Sequence, residues 1–132
     1  MTDPRVGLIV THRRYVPYAH AHYGGNLVDG AYTLGLFGDV ATEVAIRTDG
    51  DEGLLAGYSE IRFLAPVQAG DVVEASCEVV RVGRRSRELR CWAEVVARAE
   101  PSRGASAARV LDPPLRVVEA VAALVVPATQ DT

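Results

Sequence analysis

The chain has 132 residues, of which 48% are hydrophobic and 23% charged, and its formal net charge is −3. This composition is typical of one globular domain; it excludes a disordered or fibrous chain and does not favour a nucleic-acid partner. All fourteen basic residues are arginine, which excludes a lysine Schiff base, a pyridoxal phosphate anchor and a Walker A phosphate loop.

The cysteines, the histidines and the hydropathy predict a reduced, cytoplasmic protein that binds no metal and has no membrane segment. Cys77 and Cys91 lack a metal-binding spacing, and the three histidines match no zinc motif. The first residues lack the pattern of a signal peptide. The longest apolar run is far shorter than the about 20 residues that cross a bilayer. We expect both cysteines to remain thiols on the inward faces of neighbouring strands, directly opposite each other if paired residues have numbers that sum to 168.

The first half of the chain predicts one strand, a structured loop and one long helix. A β-branched run predicts the strand over residues 5–11, and the loop follows over 15–25. Apolar residues at steps of three and four then predict a helix that Asn26 caps and that ends near Arg47. Three glycines lie inside this helix at a cost of about 1 kcal/mol each. We therefore expect another backbone to approach it closely, at Gly30, Gly35 and Gly38.

The second half predicts antiparallel strands, so the fold class is α+β, with a sheet of about five strands around one central helix. Alternating apolar residues mark strands over 53–64, 71–82, 86–99 and 115–126. The second and third of these both have odd-numbered inward residues, which requires an odd-length loop or a bulge between them. The whole chain, 1–132, is predicted to be one domain, with a mobile connection over 100–114 and a frayed tail over 128–132.

Chemistry-bearing residues concentrate at the start of the helix. Residues 20–31 combine ionisable side chains, a pair of glycines and free helix N–H groups. Those N–H groups and the helix dipole favour a developing negative charge, such as the oxygen of a thioester that becomes an enolate. The alternative is that Asp29 only caps the helix, and that His20 and His22 are ordinary loop residues.

The same region carries a family resemblance. Residues 22–31 (HYGGNLVDGA) and 34–43 (LGLFGDVATE) resemble the hotdog-fold CoA ammonia lyases, which act on 3-aminobutyryl-CoA and β-alanyl-CoA. The resemblance runs from about residue 20 to 96. It includes RTDGDEG at 47–53, FLAPVQAGD at 63–71 and VGRRSR at 82–87. The last two motifs are shared with hotdog acyl-CoA thioesterases, whereas the helix segment is more specific to the lyases.

The resemblance implies an enzyme that reversibly removes ammonia from a β-aminoacyl-CoA and gives an enoyl-CoA such as crotonyl-CoA. Coenzyme A is part of the substrate, so no cofactor is expected. The implied partners are an acyl-CoA, ammonium and further copies of the chain, without nucleic acid or membrane. The expected unit is a dimer whose sheets join edge to edge, with acyl-CoA sites between the subunits; a tetramer or hexamer stays open.

The resemblance also implies roles for individual residues. His22 and Asp29 are the expected proton carriers, with Tyr23 positioning them, and either of the first two can be the base. The thioester oxygen and the rest of the substrate are expected at the helix start, on Gly25, Asn26, Gly30 and Ala31. Glu43 is a further candidate. Its spacing from Asp39 and Arg47 equally fits a surface ion ladder, which we favour.

Arginines around the turn near residue 84 are expected to bind the phosphates of CoA, because guanidinium groups suit forked contacts with phosphate. The candidates are Arg84, Arg85 and Arg87; a solvated hairpin tip explains such a cluster equally well.

Two other functions compete with the lyase. One is a hotdog acyl-CoA thioesterase, in which Asp29 or a neighbour activates water or attacks the thioester. The other is a non-catalytic acyl-CoA binding module that has kept the fold. The hydratase branch of the fold fits less well, because its Asp-x-Asn-Pro-x-His loop is missing from this sequence.

Overall fold

A computed structural model describes residues 3–127, in which one helix packs across one face of a five-stranded antiparallel sheet. This confirms the predicted fold class. The elements are β1 (Ile9–Tyr15), β2 (Leu27–Val28), α1 (Gly30–Asp49), β3 (Leu54–Phe63), β4 (Val67–Gln68), β5 (Val72–Val82), β6 (Ser86–Ala99) and β7 (Ala108–Val125). The sheet order is β1-β5-β6-β7-β3, and β2 pairs with β4 separately. The predicted tail over 128–132 lies outside the described residues.

The core lies between α1 and the inner face of the sheet. Phe37, Val40 and Val44 form a fully buried stripe on the helix, and the strands contribute alternate residues such as Val79 and Leu89. Burial of each such side chain stabilises the fold by about 1.5–3 kcal/mol. No helix within residues 3–127 has the length and apolarity needed to span a membrane.

The helix begins three residues later than the sequence predicts. Leu27 and Val28 pair with Gln68 and Val67 as a short strand, so tertiary β-pairing overrides their helical periodicity. Asp29 is therefore the N-cap, and its Oδ1 accepts a hydrogen bond of 3.0 Å from the backbone N–H of Tyr32.

The expectation that a backbone approaches the helix glycines is wrong. A Cβ at Gly35 would meet no described atom within 4 Å, and one at Gly38 would only touch Leu55. At Gly30 a Cβ would lie 2.5 Å from the ring of Phe63. The close neighbour is therefore an aromatic side chain, and only Gly30 needs to be glycine for space.

The hairpin between β5 and β6 matches the prediction from the sequence. Three residues, 83–85, connect the strands, and a bulge follows Val79, as the odd-numbered inward faces require. Cys77 pairs directly with Cys91, with 2.9 Å between the buried sulfur atoms of these free thiols. The hydrogen bond to Cys91, together with burial, raises the pKa of the Cys77 thiol.

Two boundaries differ from prediction. The first strand spans Ile9–Tyr15 rather than 5–11, because it pairs with the whole start of β5. The last strand begins at Ala108, so the connection covers 100–107 and not 100–114. Its early part pairs with residues 97–99 of β6, and the prolines at 113 and 114 lie where the register shifts. The missing proline N–H groups therefore break no ladder hydrogen bond there.

Candidate active site

A cleft of about 470 Å³ opens beside the N-terminus of α1. This volume is in the range of small-molecule sites, about 300–1,000 Å³. Its walls are mostly apolar, with polar side chains from three residues. The lining residues are Tyr23, Val28, Asp29, Gly30, Thr33, Phe63, Leu64, Ala65, Pro66, Val67 and Val118.

A tight turn brings His22 close to Asp29, which lines the cleft. The backbone N–H groups of His22 and Tyr23 both donate to the carbonyl of Leu27, at 2.8 and 3.0 Å. Gly25 and Asn26 close this turn with left-handed φ angles of 70° and 61°, which glycine and asparagine tolerate best. These two residues, predicted to bind substrate, thus shape the loop that positions His22.

Asp29 and His22 face each other at the mouth of the cleft. One oxygen of Asp29 caps the helix, while Oδ2 lies 3.7 Å from His22 Nδ1. The ring of Tyr23 packs edge-on against His22 at 4.6 Å between centroids. His20 points elsewhere and packs on Tyr32. The structure therefore brings together the three predicted catalytic residues and separates them from His20.

The amides of Gly30 and Ala31 lie at the same helix end. Among the hydrogen bonds of residues 3–127, neither N–H group has an acceptor, whereas the next one, of Tyr32, is taken by Asp29. Free N–H groups at a helix N-terminus point at whatever binds there and favour an anionic oxygen. The predicted oxyanion donors thus adjoin the predicted proton carriers.

Arg87 contradicts its predicted role in phosphate binding. Its side chain is only 3% exposed and donates to both oxygens of Asp49, and also to the carbonyls of Gly83 and Ser86. Because its donors are already engaged inside the fold, this guanidinium is not free for a ligand. The sequence could not separate Arg87 from its neighbours, since only the β6 pleat turns it inward.

Arg84 and Arg85 are exposed at the hairpin tip, but at the opposite end of the molecule from the cleft. The ion pair of Arg87 with Asp49 fixes this hairpin beside the C-terminus of α1. The 20 residues of α1 span about 30 Å. Within one chain, the predicted phosphate site and the predicted catalytic residues are thus at opposite helix ends.

Glu43 forms ion pairs on the helix surface. Its carboxylate contacts Arg47 at 2.7 Å and His12 at 2.8 Å. The hydrogen bonds from Arg47 and His12 lower the pKa of Glu43 below its usual range. The favoured ladder is confirmed for Arg47, with His12 as a partner that the sequence did not reveal. Asp39 is not among the ion-pair partners of Glu43 within residues 3–127.

The sequence analysis missed most of the cleft wall. Phe63 and Val118 come from adjacent strands of the sheet, and Thr33 from the first turns of the helix. Periodicity assigned Phe63 to a strand, but it could not show that the ring lies over Gly30. The one available signal was a glycine at a helix start, where alanine is favoured by propensity.

Comparisons with known proteins show the family of the chain. The model of the family described as thioesterase superfamily matches residues 25–94. A 3-aminobutyryl-CoA ammonia lyase from Acetoanaerobium sticklandii is 47% identical over 107 residues, which cover 81% of this chain and 85% of that protein. The chain belongs to the hotdog-fold CoA ammonia lyases of the thioesterase superfamily. The predicted family is thereby confirmed.

Solved structures place the fold in the same family. The β-alanyl-CoA:ammonia lyase from Clostridium propionicum has 33% sequence identity and a TM-score of 0.87, covering 96% of this chain and 93% of that one. A hexameric thioesterase from Yersinia pestis has 19% identity and a TM-score of 0.71, covering 95% and 89%. At that identity the second match shows the hotdog fold alone.

Proposed function

We propose that this member of the CoA ammonia lyase family reversibly eliminates ammonia from a β-aminoacyl-CoA of the 3-aminobutyryl type and gives an enoyl-CoA such as crotonyl-CoA. The observation that carries the proposal is the open N-terminus of α1, where free amides and the His22–Asp29 pair meet at one apolar cleft. The lyases from A. sticklandii and C. propionicum support the same substrate class.

The geometry suits the two halves of this reaction. A base must remove the weakly acidic proton next to the thioester, while charge builds up on the carbonyl oxygen. That oxygen is bound by the free amides of Gly30 and Ala31. Asp29 Oδ2 or His22 takes the proton, and Tyr23 packs against His22 to fix its ring. The electrons of the broken carbon–hydrogen bond form the double bond. The carbon–nitrogen bond of the protonated amino group breaks, its electron pair stays on nitrogen, and neutral ammonia departs.

The assembly proposed for this reaction is a dimer formed through β3. This ten-residue strand is an edge of the sheet, and most of its residues are exposed, including Leu54 and Phe63. An unpaired edge of this length pairs readily with another strand. Antiparallel pairing of β3 with its copy would bring the C-terminal helix end of the partner subunit beside the cleft.

Such a dimer resolves the separation of the two predicted sites. The hairpin of the partner subunit then approaches the cleft, with Arg84 and Arg85 at its exposed tip. We propose that these two arginines bind the CoA phosphates across the subunit interface. Ammonium and the acyl-CoA are the ligands of this site.

Complementation tests the shared site. We expect Asp29→Asn and the double variant Arg84→Ala/Arg85→Ala each to be poorly active alone. After the two are unfolded together and refolded, mixed dimers contain one intact site, so about a quarter of wild-type activity should return by simple statistics. No recovery, with mixed dimers present by mass spectrometry, would place both groups in one chain's site or remove the arginines from it.

One assay separates the lyase from its alternatives. The protein is mixed with crotonyl-CoA and ammonium, and the enoyl absorbance and free thiol are followed together. Loss of enoyl signal without thiol supports the lyase, whereas thiol release indicates the thioesterase. If neither changes although acyl-CoA binding is saturable, the protein is a binding module.

A further inference from the structure

Thr33 has a side-chain hydroxyl that the fold leaves unused. The residue is 1% exposed, yet its hydroxyl makes no hydrogen bond with any residue between 3 and 127. The other two threonines of α1 behave differently. Thr42 donates to the carbonyl of Gly38 at 3.0 Å in the usual i−4 pattern, and Thr48 donates to Oδ2 of Asp49 at 2.6 Å.

The unused hydroxyl faces the cleft. Within the described part of the chain, no fully buried side-chain oxygen or nitrogen lacks a hydrogen-bond partner. Because the Thr33 hydroxyl has no partner, its oxygen must be the accessible part of the residue, and Thr33 lines the cleft. Buried polar groups are usually satisfied, so one left open to a cavity suits a ligand atom.

The surroundings specify which ligand atom this is. Deep in the cleft the walls are apolar, with Val67 and Val118 among them. A cation is expensive to hold in such surroundings unless oxygen atoms accept its hydrogen bonds. Of the three polar side chains in the lining, Tyr23 is 58% exposed. Asp29 and Thr33 are the other two, at the N-cap and in the first turn of α1.

Asp29 and Thr33 are spaced to share one small cation. Asp29 is the N-cap of α1 and Thr33 lies four residues later, in the first turn, and both residues line the same cleft. A nitrogen between them can donate one hydrogen bond to a carboxylate oxygen and one to the hydroxyl oxygen. Gly30, whose amide faces the thioester oxygen in the proposed reaction, precedes Thr33 by about 4.5 Å of helix rise. The β-amino nitrogen is three bonds beyond the thioester carbon and therefore falls near Thr33.

We infer that the Thr33 hydroxyl binds the β-amino group of the substrate, and equally the ammonium that adds in the reverse direction. This ammonium subsite rests on the proposed lyase function and deepens it. It selects β-amino over uncharged β-substituents, because the hydroxyl and carboxylate oxygens both accept hydrogen bonds from nitrogen.

The test compares Michaelis constants for the two substrates of the addition reaction. Thr33→Val keeps the shape of the side chain and removes the hydroxyl. We expect it to raise the KM for ammonium about tenfold or more, the scale for a lost hydrogen bond to a charged group, with little change in the KM for crotonyl-CoA. Thr33→Ser should stay near wild type, and Thr42→Val serves as a control on the same helix.

A second pair keeps the test valid if Thr33→Val folds poorly. Thr33→Ser and Thr33→Ala both lack the methyl group and differ only in the hydroxyl, so a high KM for ammonium in Thr33→Ala alone supports the subsite. The ammonium subsite is overturned if the two variants have equal KM values for ammonium, or if only the KM for crotonyl-CoA rises. Either result leaves the lyase function intact. A wild-type protein that does not consume crotonyl-CoA with ammonium overturns both.

Discussion

The two ends of helix α1 each carry an aspartate, but the surroundings use the two carboxylates in opposite ways. At the C-terminus, Asp49 accepts hydrogen bonds from Arg87, Arg5 and Thr48, and Arg87 is itself buried. At the N-terminus, Asp29 gives one oxygen to the helix cap and leaves the other toward His22 and the cleft.

The Asp49 carboxylate therefore has a structural role, whereas the Asp29 carboxylate is available for a reaction. A carboxylate at a helix C-terminus is unfavourable against the dipole, and cations beside Asp49 offset this. The Asp49 carboxylate then has no hydrogen-bonding capacity left for a ligand. At the other end the dipole favours a carboxylate, so Asp29 needs no cation and stays available. The candidate active site is therefore recognised by the Asp29 carboxylate oxygen that is not used by the helix cap.

The largest expected effect is on turnover, at the N-terminal end. Asp29→Asn removes the proton carrier, but asparagine caps a helix as well as aspartate does. Turnover with crotonyl-CoA and ammonium should fall by about 100-fold or more, with an unchanged melting temperature. His22→Ala should show a loss on the same scale. Full activity in both variants would exclude these two residues from the reaction.

The same substitution at the other end should affect stability. Asp49→Asn leaves the buried guanidinium of Arg87 without its carboxylate, which should lower the free energy of unfolding by about 3 kcal/mol. Urea denaturation measures this loss, and turnover per folded molecule should stay at the wild-type level. If Asp49→Asn has the wild-type free energy of unfolding, the Asp49–Arg87 ion pair contributes nothing to stability.

A smaller effect is expected where Phe63 lies over Gly30. Gly30→Ala would place a Cβ within 2.6 Å of two ring atoms, so the ring must turn into the cleft. We expect kcat/KM to fall about tenfold, with stability changed by about 1 kcal/mol or less, because alanine favours the helix. Gly30→Ala/Phe63→Ala should recover part of the loss; if it does not, the ring is not the cause.

The smallest effect is a pH dependence of stability that belongs to the C-terminal end. Burial raises the pKa of Asp49, but the hydrogen bonds from Arg87 and Thr48 outweigh it and hold this pKa below the ordinary value. A depressed carboxyl pKa stabilises the fold at pH above about 4, and that contribution is lost as the pH falls further. Urea midpoints between pH 7 and pH 3 should therefore fall less steeply in Asp49→Asn than in wild type.

Features that depend on local pattern could be predicted from the amino acids alone. The alternation in residues 71–99 put Cys77 and Cys91 on inward faces and required an odd-length loop or a bulge, because a strand's side chains repeat every two residues. The observed register then pairs the two cysteines. The segment 22–43 specified the family, and its periodicity predicted the helix, although the cap is Asp29 and not Asn26.

Which groups remain free depends on contacts between distant parts of the chain. Arg84 and Arg87 look alike in the sequence, but one is exposed and the other is paired with Asp49, since that pairing joins residues 38 positions apart. Phe63 over Gly30, and Thr33 opening into the cleft, depend on strands that fold back over the helix. The periodicity of a segment predicts which face of a helix or strand a residue occupies. It does not predict which residue, from a distant part of the chain, packs against that face.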